Sequence, residues 1–344
     1  MWWIVSGEWR RDSKEQRLKQ EWLGLVMFTL FAIPGFAQSI GPQTPSQPSE
    51  ESVQSSRKPI HVDVSLVLVN VTVTDLYDRL VTGLGKENFR VFEDGTQQEI
   101  VNFSTEDLPI SIGLIFDMSG SMSDKLEKAR QAAVQFLKTA NPRDEFFLVS
   151  FNDRAQLASD FTSSVEELQS RMVYTSAKGQ TALLDGIYLG LSQMRNANNG
   201  KHALLIISDG GDNHSRYNES DLRKFLKEAD CQLYAIGVFD SNDLARTVEE
   251  SYGPTLLSEL ADISGGRVFP VSTLNDLPDI ATKIGEELRN QYLLAYKPSD
   301  VKLAYKPSDV KRSRTWRKIK VKLFPPKGLP PLNVYAKTGY RSPS

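Results

Sequence analysis

From Ile110 the sequence alternates between short apolar runs and longer amphipathic segments, and this alternation restricts the fold more than any other feature. The apolar runs are typical of strands buried on both faces of a sheet. Buried strands with helices between them form a parallel, doubly wound sheet, so we predict an α/β domain over residues 108–289. In the first predicted helix an apolar stripe repeats at helical spacing, at Leu126, Ala129, Ala133, Phe136 and Leu137. The predicted strands are residues 110–116, 145–151, 203–208, 232–238 and 267–271. The predicted helices are residues 124–139, 165–172, 182–195, 219–229, 254–263 and 276–288.

Both flanks of this region show β patterns. Within residues 59–107, alternation that begins at His61 predicts a long strand, with Val62, Val64, Leu66 and Leu68 on one parity and Val67, Val69, Val71 and Val73 on the other. The change of parity near residues 66–69 predicts a bulge or a segment covered on both faces. Asp94-Gly95 predicts a hairpin between residues 89–93 and 96–103. Residues 290–344 hold further predicted strands at 291–296, 316–324 and 332–337. Because the last strands have no helices to cover them and the first β module has too few strands for its own core, we hypothesise that both flanks join into one sandwich-like module around the inserted α/β domain.

The first 37 residues have the organisation of a signal peptide. Five basic residues precede an uncharged run over residues 22–37, and small residues at Gly35 and Ala37 suit cleavage after Ala37. The run has 16 residues, fewer than the roughly 20 that span a bilayer; a buried helix or an uncleaved anchor is the alternative. Residues 38–58, rich in Pro and Ser, are predicted to be a disordered linker. We therefore expect a secreted, periplasmic or cell-envelope protein with no stable membrane span in the mature chain.

Composition limits the chemistry that is open to the chain. The 41 Lys and Arg against 43 Asp and Glu give a net charge of −2, so no basic field points to a nucleic-acid partner. The single cysteine, Cys231, excludes an internal disulfide and a thiolate zinc site, and we expect it to be a small buried apolar residue. The three histidines are widely spaced, which disfavours a histidine metal site. Oxygen ligands are the donors that remain.

Three predicted loops offer such oxygen ligands. Asp117, Ser119 and Ser121 follow the first strand of the α/β region, Thr181 opens a helix, and Asp209 follows the strand at 203–208. In open α/β sheets ligands bind at the carboxyl ends of the strands, so we expect these side chains together on the surface rim of one sheet edge. Hydroxyls with two acids suit a hard cation such as Mg²⁺, with Mn²⁺ or Ca²⁺ as alternatives.

Other roles for these residues stay open at the level of sequence. Ser121 or Ser123 can cap the first helix, and Asp212 lies in an Asp-Gly-Gly-Asp segment that is typical of a turn. An enzyme is disfavoured, because no Gly-x-Ser-x-Gly elbow is present and Ser119 stands where a phosphatase of the aspartyl-phosphate type has its second acid. A metal-dependent hydrolase or phosphatase using the Asp117 loop is the alternative to a binding protein.

The Asp-x-Ser-x-Ser sequence at residues 117–121, the later Thr181 and the Asp209-Gly210 pair resemble the von Willebrand factor type A domain and its metal-ion-dependent adhesion site. The resemblance covers about residues 109–288 and fills the family's ligand positions in their order. It implies that hydroxyls and aspartates hold a Mg²⁺ ion, directly or through water, and that an Asp or Glu of a partner protein completes the coordination. The expected function is exported, Mg²⁺-dependent protein binding or adhesion without catalysis.

The flanks resemble bacterial secreted proteins described as VWFA-related. The similar segments are Thr82-Gly83-Leu84, residues 89–95, Tyr292 with Tyr296 and Pro298, and Thr338-Gly339-Tyr340. The chain departs from these proteins in two places. Residues 294–302 recur unchanged as 303–311, which indicates a duplicated loop. The segment before the apolar run of residues 22–37 is also unusually long and charged. Residues 302–327 carry ten Lys and Arg and one Asp, which is typical of a solvated face or of a surface that binds anions.

Overall fold

The structure is a computed structural model that describes residues 66–173, 176–238, 248–271, 273–298 and 315–342. The predictions for the signal peptide at 1–37, the linker at 38–58 and the tandem copy at 303–311 lie outside these residues. The domain boundaries also stay predictions, whereas the fold class follows from the strands and helices described below.

Four strands precede the α/β region: β1 Val67–Thr74, β2 Phe89–Glu93, β3 Thr96–Gln98 and β4 Ile100–Ser104. In β1 one parity is buried throughout, at Val67, Val69, Val71 and Val73. Leu66 and Leu68, on the other parity, are 47% and 42% exposed. Thr72 and Thr74, also on this other parity, are fully buried, so β1 has one buried face at its start and is covered on both faces towards its end. At residues 66–69 neither predicted feature is present, because the exposed leucines leave one face uncovered and the register with the neighbouring strands is regular.

The predicted hairpin is confirmed at its turn and differs beyond it. Asp94 and Gly95 have φ values of +46° and +87°, and Glu93 pairs with Thr96 across the turn. Two successive positive φ values match the twist of the flanking strands, which explains the Asp-Gly sequence. The returning segment, however, is divided: β3 stays beside β2, whereas β4 joins a different sheet.

In its described residues, the α/β region has six strands and six α-helices, besides short 3₁₀ turns. The strands are β5 Ile110–Asp117, β6 Glu145–Phe151, β7 Ala155–Thr162, β8 Lys201–Ser208, β9 Gln232–Gly237 and β10 Val268–Pro270. The helices are α1 Leu126–Leu137, α2 Val165–Val173, α3 Leu183–Gln193, α4 Glu219–Glu228, α5 Val248–Ser264 and α6 Leu277–Arg289. The strand order is β10-β9-β8-β5-β6-β7, with α1, α2 and α6 packed on one face and α3, α4 and α5 on the other. This confirms the predicted doubly wound sheet.

Two elements of the region depart from the sequence predictions. The edge strand β7 was not predicted, and it pairs antiparallel with β6. Its only buried side chain is Ser159, so it lacks the apolar alternation that marks a strand. Helix α5 begins at Val248 rather than at Pro254, which lies inside the helix. The predicted helix over residues 254–263 therefore begins too late.

Four further strands follow the α/β region: β11 Tyr292–Tyr296, β12 Trp316–Leu323, β13 Asn333–Ala336 and β14 Gly339–Arg341. They complete two antiparallel sheets, β13-β1-β11-β4 and β14-β12-β2-β3, so that each sheet contains strands from both flanks. The two sheets share one apolar core that includes Val71, Phe89, Tyr292, Leu294 and Ile319. The α/β region is thus inserted between strands that pair with each other.

Ion pairs tie the antiparallel sheets to one edge of the α/β sheet. Arg267, directly before β10, pairs with Asp78 of the β1–β2 connection. Asp230, just before β9, pairs with Lys337 at 2.7 Å. These contacts lie where the parallel strands begin. The opposite edge, where the strands end, carries the predicted metal ligands.

Candidate metal centre

Asp117 is the last residue of β5, and its carboxylate is held on both sides. Its Oδ1 accepts a hydrogen bond from the Ser119 N–H at 2.9 Å, and its Oδ2 accepts one from the Ser208 hydroxyl at 2.6 Å. The side chain is fully buried, which corrects the expectation of a position on the surface rim. Burial, and then repulsion from Asp209, raise the pKa of Asp117 to about 7, although the serine hydrogen bonds oppose this shift.

The two serines of the loop bring their hydroxyls together. Ser119 Oγ lies 3.0 Å from Ser121 Oγ, and a short 3₁₀ turn, Gly120–Met122, separates the loop from α1. The N-cap of α1 is Lys125, and it makes no side-chain capping bond. The interpretation of Ser121 or Ser123 as the cap of this helix is therefore wrong. Because no capping role engages them, the hydroxyls of Ser119 and Ser121 stay beside Asp117.

The loop that carries Thr181 packs against the Asp117 loop through its backbone. The Gly120 N–H donates to the Gly179 carbonyl at 3.0 Å, and the Lys178 N–H donates to the Met118 carbonyl, also at 3.0 Å. Gly179 has a φ of +82°, a conformation that glycine adopts without strain. Thr181 itself is buried, two residues before α3 begins. The fold thus brings the second predicted loop to the first.

The backbone of Thr181 is fixed by the segment that follows β8. Its N–H donates to Asn213 Oδ1 at 2.9 Å, and its carbonyl accepts from the N–H groups of Asn213 and His214 at 3.0 and 3.1 Å. Because both backbone groups are engaged, the hydroxyl is the group that this residue has left to offer a ligand. All three predicted loops are therefore joined by hydrogen bonds at one edge of the sheet.

Asp209 follows β8, the strand next to β5, and it has one engaged and one free oxygen. Its Oδ2 lies 3.5 Å from the Lys125 ammonium, whereas its Oδ1 is buried and has no hydrogen-bond partner. Ser208 links this loop to Asp117, because its hydroxyl also accepts from the Gly210 N–H at 3.0 Å. A buried carboxylate oxygen without a partner is costly unless a cation or donor satisfies it.

Two residues of the site, Lys125 and Ser208, were not predicted from the sequence. Ser208 is the last residue of β8, and Lys125 is the residue directly before α1. Serine at a strand end and lysine near a helix start are both common, so the sequence around them gives no sign of a site. Only the pairing of β5 with β8 shows that Ser208 faces Asp117.

The remaining candidates have structural roles. Asp212 Oδ1 accepts from the Leu184 N–H at 3.2 Å and from the Ser215 hydroxyl at 2.5 Å, so it binds a free N–H at the start of α3, a contact that the turn interpretation did not predict. Burial raises the pKa of Asp212 and also that of the Cys231 thiol. Cys231 is buried beside apolar residues, as expected.

The donor set fits a hard cation. Among the described residues no group of three or more His, Cys, Asp or Glu side chains is gathered closely enough to hold a metal. The predicted set does not need one, since it combines two carboxylates with three hydroxyls. The buried Asp117 and the neighbouring Asp209 repel each other, and one buried oxygen of Asp209 has no partner, so a divalent cation placed between them would lower the electrostatic free energy.

Comparison with known proteins identifies the family of the domain that carries these residues. The family model of the von Willebrand factor type A domain matches residues 112–211, a span that contains the five predicted ligand positions. The inter-alpha-trypsin inhibitor heavy chain H4 of Sus scrofa is 26% identical over 133 residues, covering 36% of this chain and 14% of that protein. The H4 chain of Homo sapiens is 22% identical over 223 residues, covering 56% of this chain and 24% of that protein.

Among solved structures, the vWF domain of the type V pili tip protein Mfa5 from Porphyromonas gingivalis has a TM-score of 0.42 at 14% identity. That match covers 52% of this chain and 95% of the other. The fold, the order of the loops and the family model together define a von Willebrand factor type A domain. The protein carries this domain between two flanks that form antiparallel sheets.

Proposed function

We propose that the protein is an exported binding module that captures a partner protein through a Mg²⁺ ion held by Asp117, Ser119, Ser121, Thr181 and Asp209. Von Willebrand factor type A domains commonly serve protein interaction or adhesion. The observation that carries the metal assignment is the buried, unpartnered Oδ1 of Asp209 beside Asp117. Mn²⁺ and Ca²⁺ are alternatives for the same oxygen donors.

The donor set explains why such a site would bind a carboxylate. Three neutral hydroxyls donate less charge than carboxylates do, so the ion stays electron-poor. An Asp or Glu side chain of a partner then completes the coordination favourably. The surrounding loops, and not the ion, would select the partner.

A binding role also agrees with the state of Asp117. Both oxygens of its carboxylate accept hydrogen bonds and the side chain is buried, so it is poorly placed to attack a phosphoryl group. We therefore propose a protein without catalytic activity. The alternative, a metal-dependent hydrolase or phosphatase, is an outcome of the test below.

The proposed location is the cell envelope or the outside of the cell, in the manner of bacterial secreted proteins that the flanks resemble. It rests on the signal-peptide pattern of residues 1–37. Among the residues that the structure describes, no helix has the length and apolar character needed to cross a membrane. Mass spectrometry of secreted or periplasmic material should find a chain that begins near Gln38, and full-length chain confined to the cytoplasm would contradict export.

The binding function can be tested by capture from a cell-envelope extract with the full chain as bait. A protein captured in Mg²⁺, released by EDTA and recaptured when Mg²⁺ is restored is the expected result. Thr181→Ala should weaken the capture while leaving the melting temperature nearly unchanged. The matched control is Thr96→Ala at the exposed start of β3, which should capture normally.

Capture that survives EDTA, or equal losses in the two threonine variants, would contradict the proposal. A Mg²⁺-dependent turnover of phosphoesters by the wild-type chain, lost in Thr181→Ala, would instead favour the hydrolase alternative.

A further inference from the structure

The strand β12 exposes a row of lysines. Lys318, Lys320 and Lys322 are exposed on one face, whereas Ile319 is buried and Val321 packs against the apolar core on the other. Side chains on one face of a strand repeat every two residues, about 7 Å apart. The three ammonium groups therefore form a spaced row and not a pocket.

The neighbouring strand β2 extends this row. In the antiparallel register Lys322 lies opposite Arg90, and Lys320 lies opposite Phe92. The Lys322 ammonium is 4.8 Å from the centre of the Phe92 ring. We name the surface formed by Arg90, Phe92, Lys318, Lys320 and Lys322, together with Phe324, the basic face.

Phe324 adds an exposed aromatic ring at one end of the basic face. Its side chain is 55% exposed, and the Arg90 guanidinium lies 5.7 Å from its ring centre. Aromatic rings interspersed with cations are suited to the boundary between lipid headgroups and acyl chains, where the ring is partly buried and the cations meet phosphates.

Among the residues that the structure describes, carboxylates do not neutralise these lysines. Within the described part of the chain, no ion pair joins Lys318, Lys320 or Lys322 to an acid. The acids at the near end of the hairpin, Glu93 and Asp94, both pair with Arg317, at 3.1 Å each. The positive charge of the basic face is therefore available to an external anion.

The basic face belongs to the part of the molecule that lies away from the metal centre. The sheet that carries it contacts the end of α4, where Arg341 pairs with Glu228 at 2.9 Å and Lys227 lies over the Trp316 ring. Helix α4 runs from the metal-site edge of the α/β sheet to the edge where the strands begin. An object bound to the basic face would leave the metal centre accessible at the other edge.

We propose that the basic face binds an anionic phospholipid surface and so holds the protein against a membrane while the metal centre stays open to a partner. A lipid surface fits better than a compact anion, because the cations form a spaced row and the basic face also includes the exposed ring of Phe324 and the half-buried ring of Phe92. The lipid contact involves none of the proposed metal ligands, so it should persist when Mg²⁺ is removed.

The test is co-sedimentation of the full chain with vesicles of phosphatidylcholine alone and of equal parts phosphatidylcholine and phosphatidylglycerol. The chain should sediment more strongly with the anionic vesicles, and added salt should weaken this excess. Replacing Lys318, Lys320 and Lys322 by Gln should reduce the excess affinity about 100-fold, since each cation near an anionic surface contributes about five-fold.

The control is the triple variant Lys138→Gln, Arg171→Gln and Lys224→Gln, which removes the same charge from exposed positions on three parts of the α/β region. Both triple variants keep the apolar amino-terminal segment. A difference in vesicle binding between them therefore cannot come from insertion of that segment into the bilayer. Unchanged binding by this control and by EDTA-treated protein supports the proposal. Equal affinity for both vesicle types, or equal losses in the two triple variants, would overturn it. Binding to heparin without binding to anionic vesicles would overturn it in favour of an acidic polymer.

Discussion

At the scale of single residues, Lys125 is the cation that the chain itself brings to the proposed metal centre. Its ammonium lies 3.5 Å from Asp209 Oδ2, and its side chain is only 14% exposed. When no metal is bound, this ammonium offsets part of the charge of Asp209. The Lys125 ammonium would repel a divalent ion beside the same carboxylate, so Lys125 should lower the affinity for Mg²⁺.

Lys125→Met keeps most of the aliphatic stem and removes the charge. We expect the affinity for Mg²⁺ in titration calorimetry to rise about 10-fold, or about 1.4 kcal/mol, because the competing ammonium is gone. Lys138→Met, at the exposed end of α1, is the control and should bind as the wild type does. An affinity that falls or stays constant in Lys125→Met would show that Lys125 does not oppose the ion.

The sequence was sufficient to nominate Asp117, Thr181 and Asp209, because each follows a strand or opens a helix in a recognisable position. It was not sufficient to describe how Asp117 is held. The hydrogen bond from Ser208 depends on β8 lying beside β5, which is a property of the sheet order. The metal itself stays a prediction.

At the scale of elements, helix α5 comes into direct contact with the Asp209 loop at Gly253. A Cβ atom placed on Gly253 would lie 1.8 Å from the Gly210 carbonyl oxygen, so only glycine permits this approach. Gly253→Ala must therefore move the helix or the loop. We expect a loss of about 1–3 kcal/mol in the free energy of unfolding and a weaker affinity for Mg²⁺, measured by denaturant unfolding and calorimetry.

Gly200→Ala is the matched control for this substitution. No atom lies within 4 Å of the added Cβ at Gly200, so stability and Mg²⁺ affinity should stay close to those of the wild type. If Gly253→Ala were as stable as Gly200→Ala, the contact between α5 and the Asp209 loop would not exist in solution.

Among the strands, those buried on both faces could be predicted from the sequence, whereas an edge strand and a divided strand could not. The buried strands β5, β6 and β8 were predictable because their apolar runs are continuous. The edge strand β7 buries only Ser159 and was missed, since an edge strand facing solvent needs little apolar periodicity. The division of residues 96–103 into β3 and β4 follows from contacts with distant strands, and no local signal marks it.

At the scale of the whole molecule, Arg267 connects the α/β region to the antiparallel sheets. Its guanidinium pairs with Glu287 of α6 and with Asp78 of the β1–β2 connection, and it lies 4.3 Å from the centre of the Tyr335 ring. Glu287 is fully buried, and this burial raises its pKa to about 7 even though Arg267 acts in the opposite direction. The ionised form of Glu287 therefore depends on the Arg267 guanidinium beside it.

Arg267→Met should leave Glu287 without its cation in a buried position. We expect a loss of about 3–5 kcal/mol in the free energy of unfolding, measured by urea denaturation. Arg171→Met, on the exposed surface of α2, should change stability little. A loss in Arg267→Met no larger than that of the control would mean that the two parts of the molecule are not joined through this residue.

The central claim, a divalent cation at the end of β5 and β8, is tested most directly by titrating the full chain with Mg²⁺ in a calorimeter. Asp209→Asn keeps the shape of the side chain and removes the charge beside Asp117, and Asp221→Asn on the exposed surface of α4 is the control. The account predicts a single Mg²⁺ ion bound per chain in the wild type and in Asp221→Asn, and no binding in Asp209→Asn with its fold retained. Equal Mg²⁺ binding by all three chains, or none by the wild type, would contradict it.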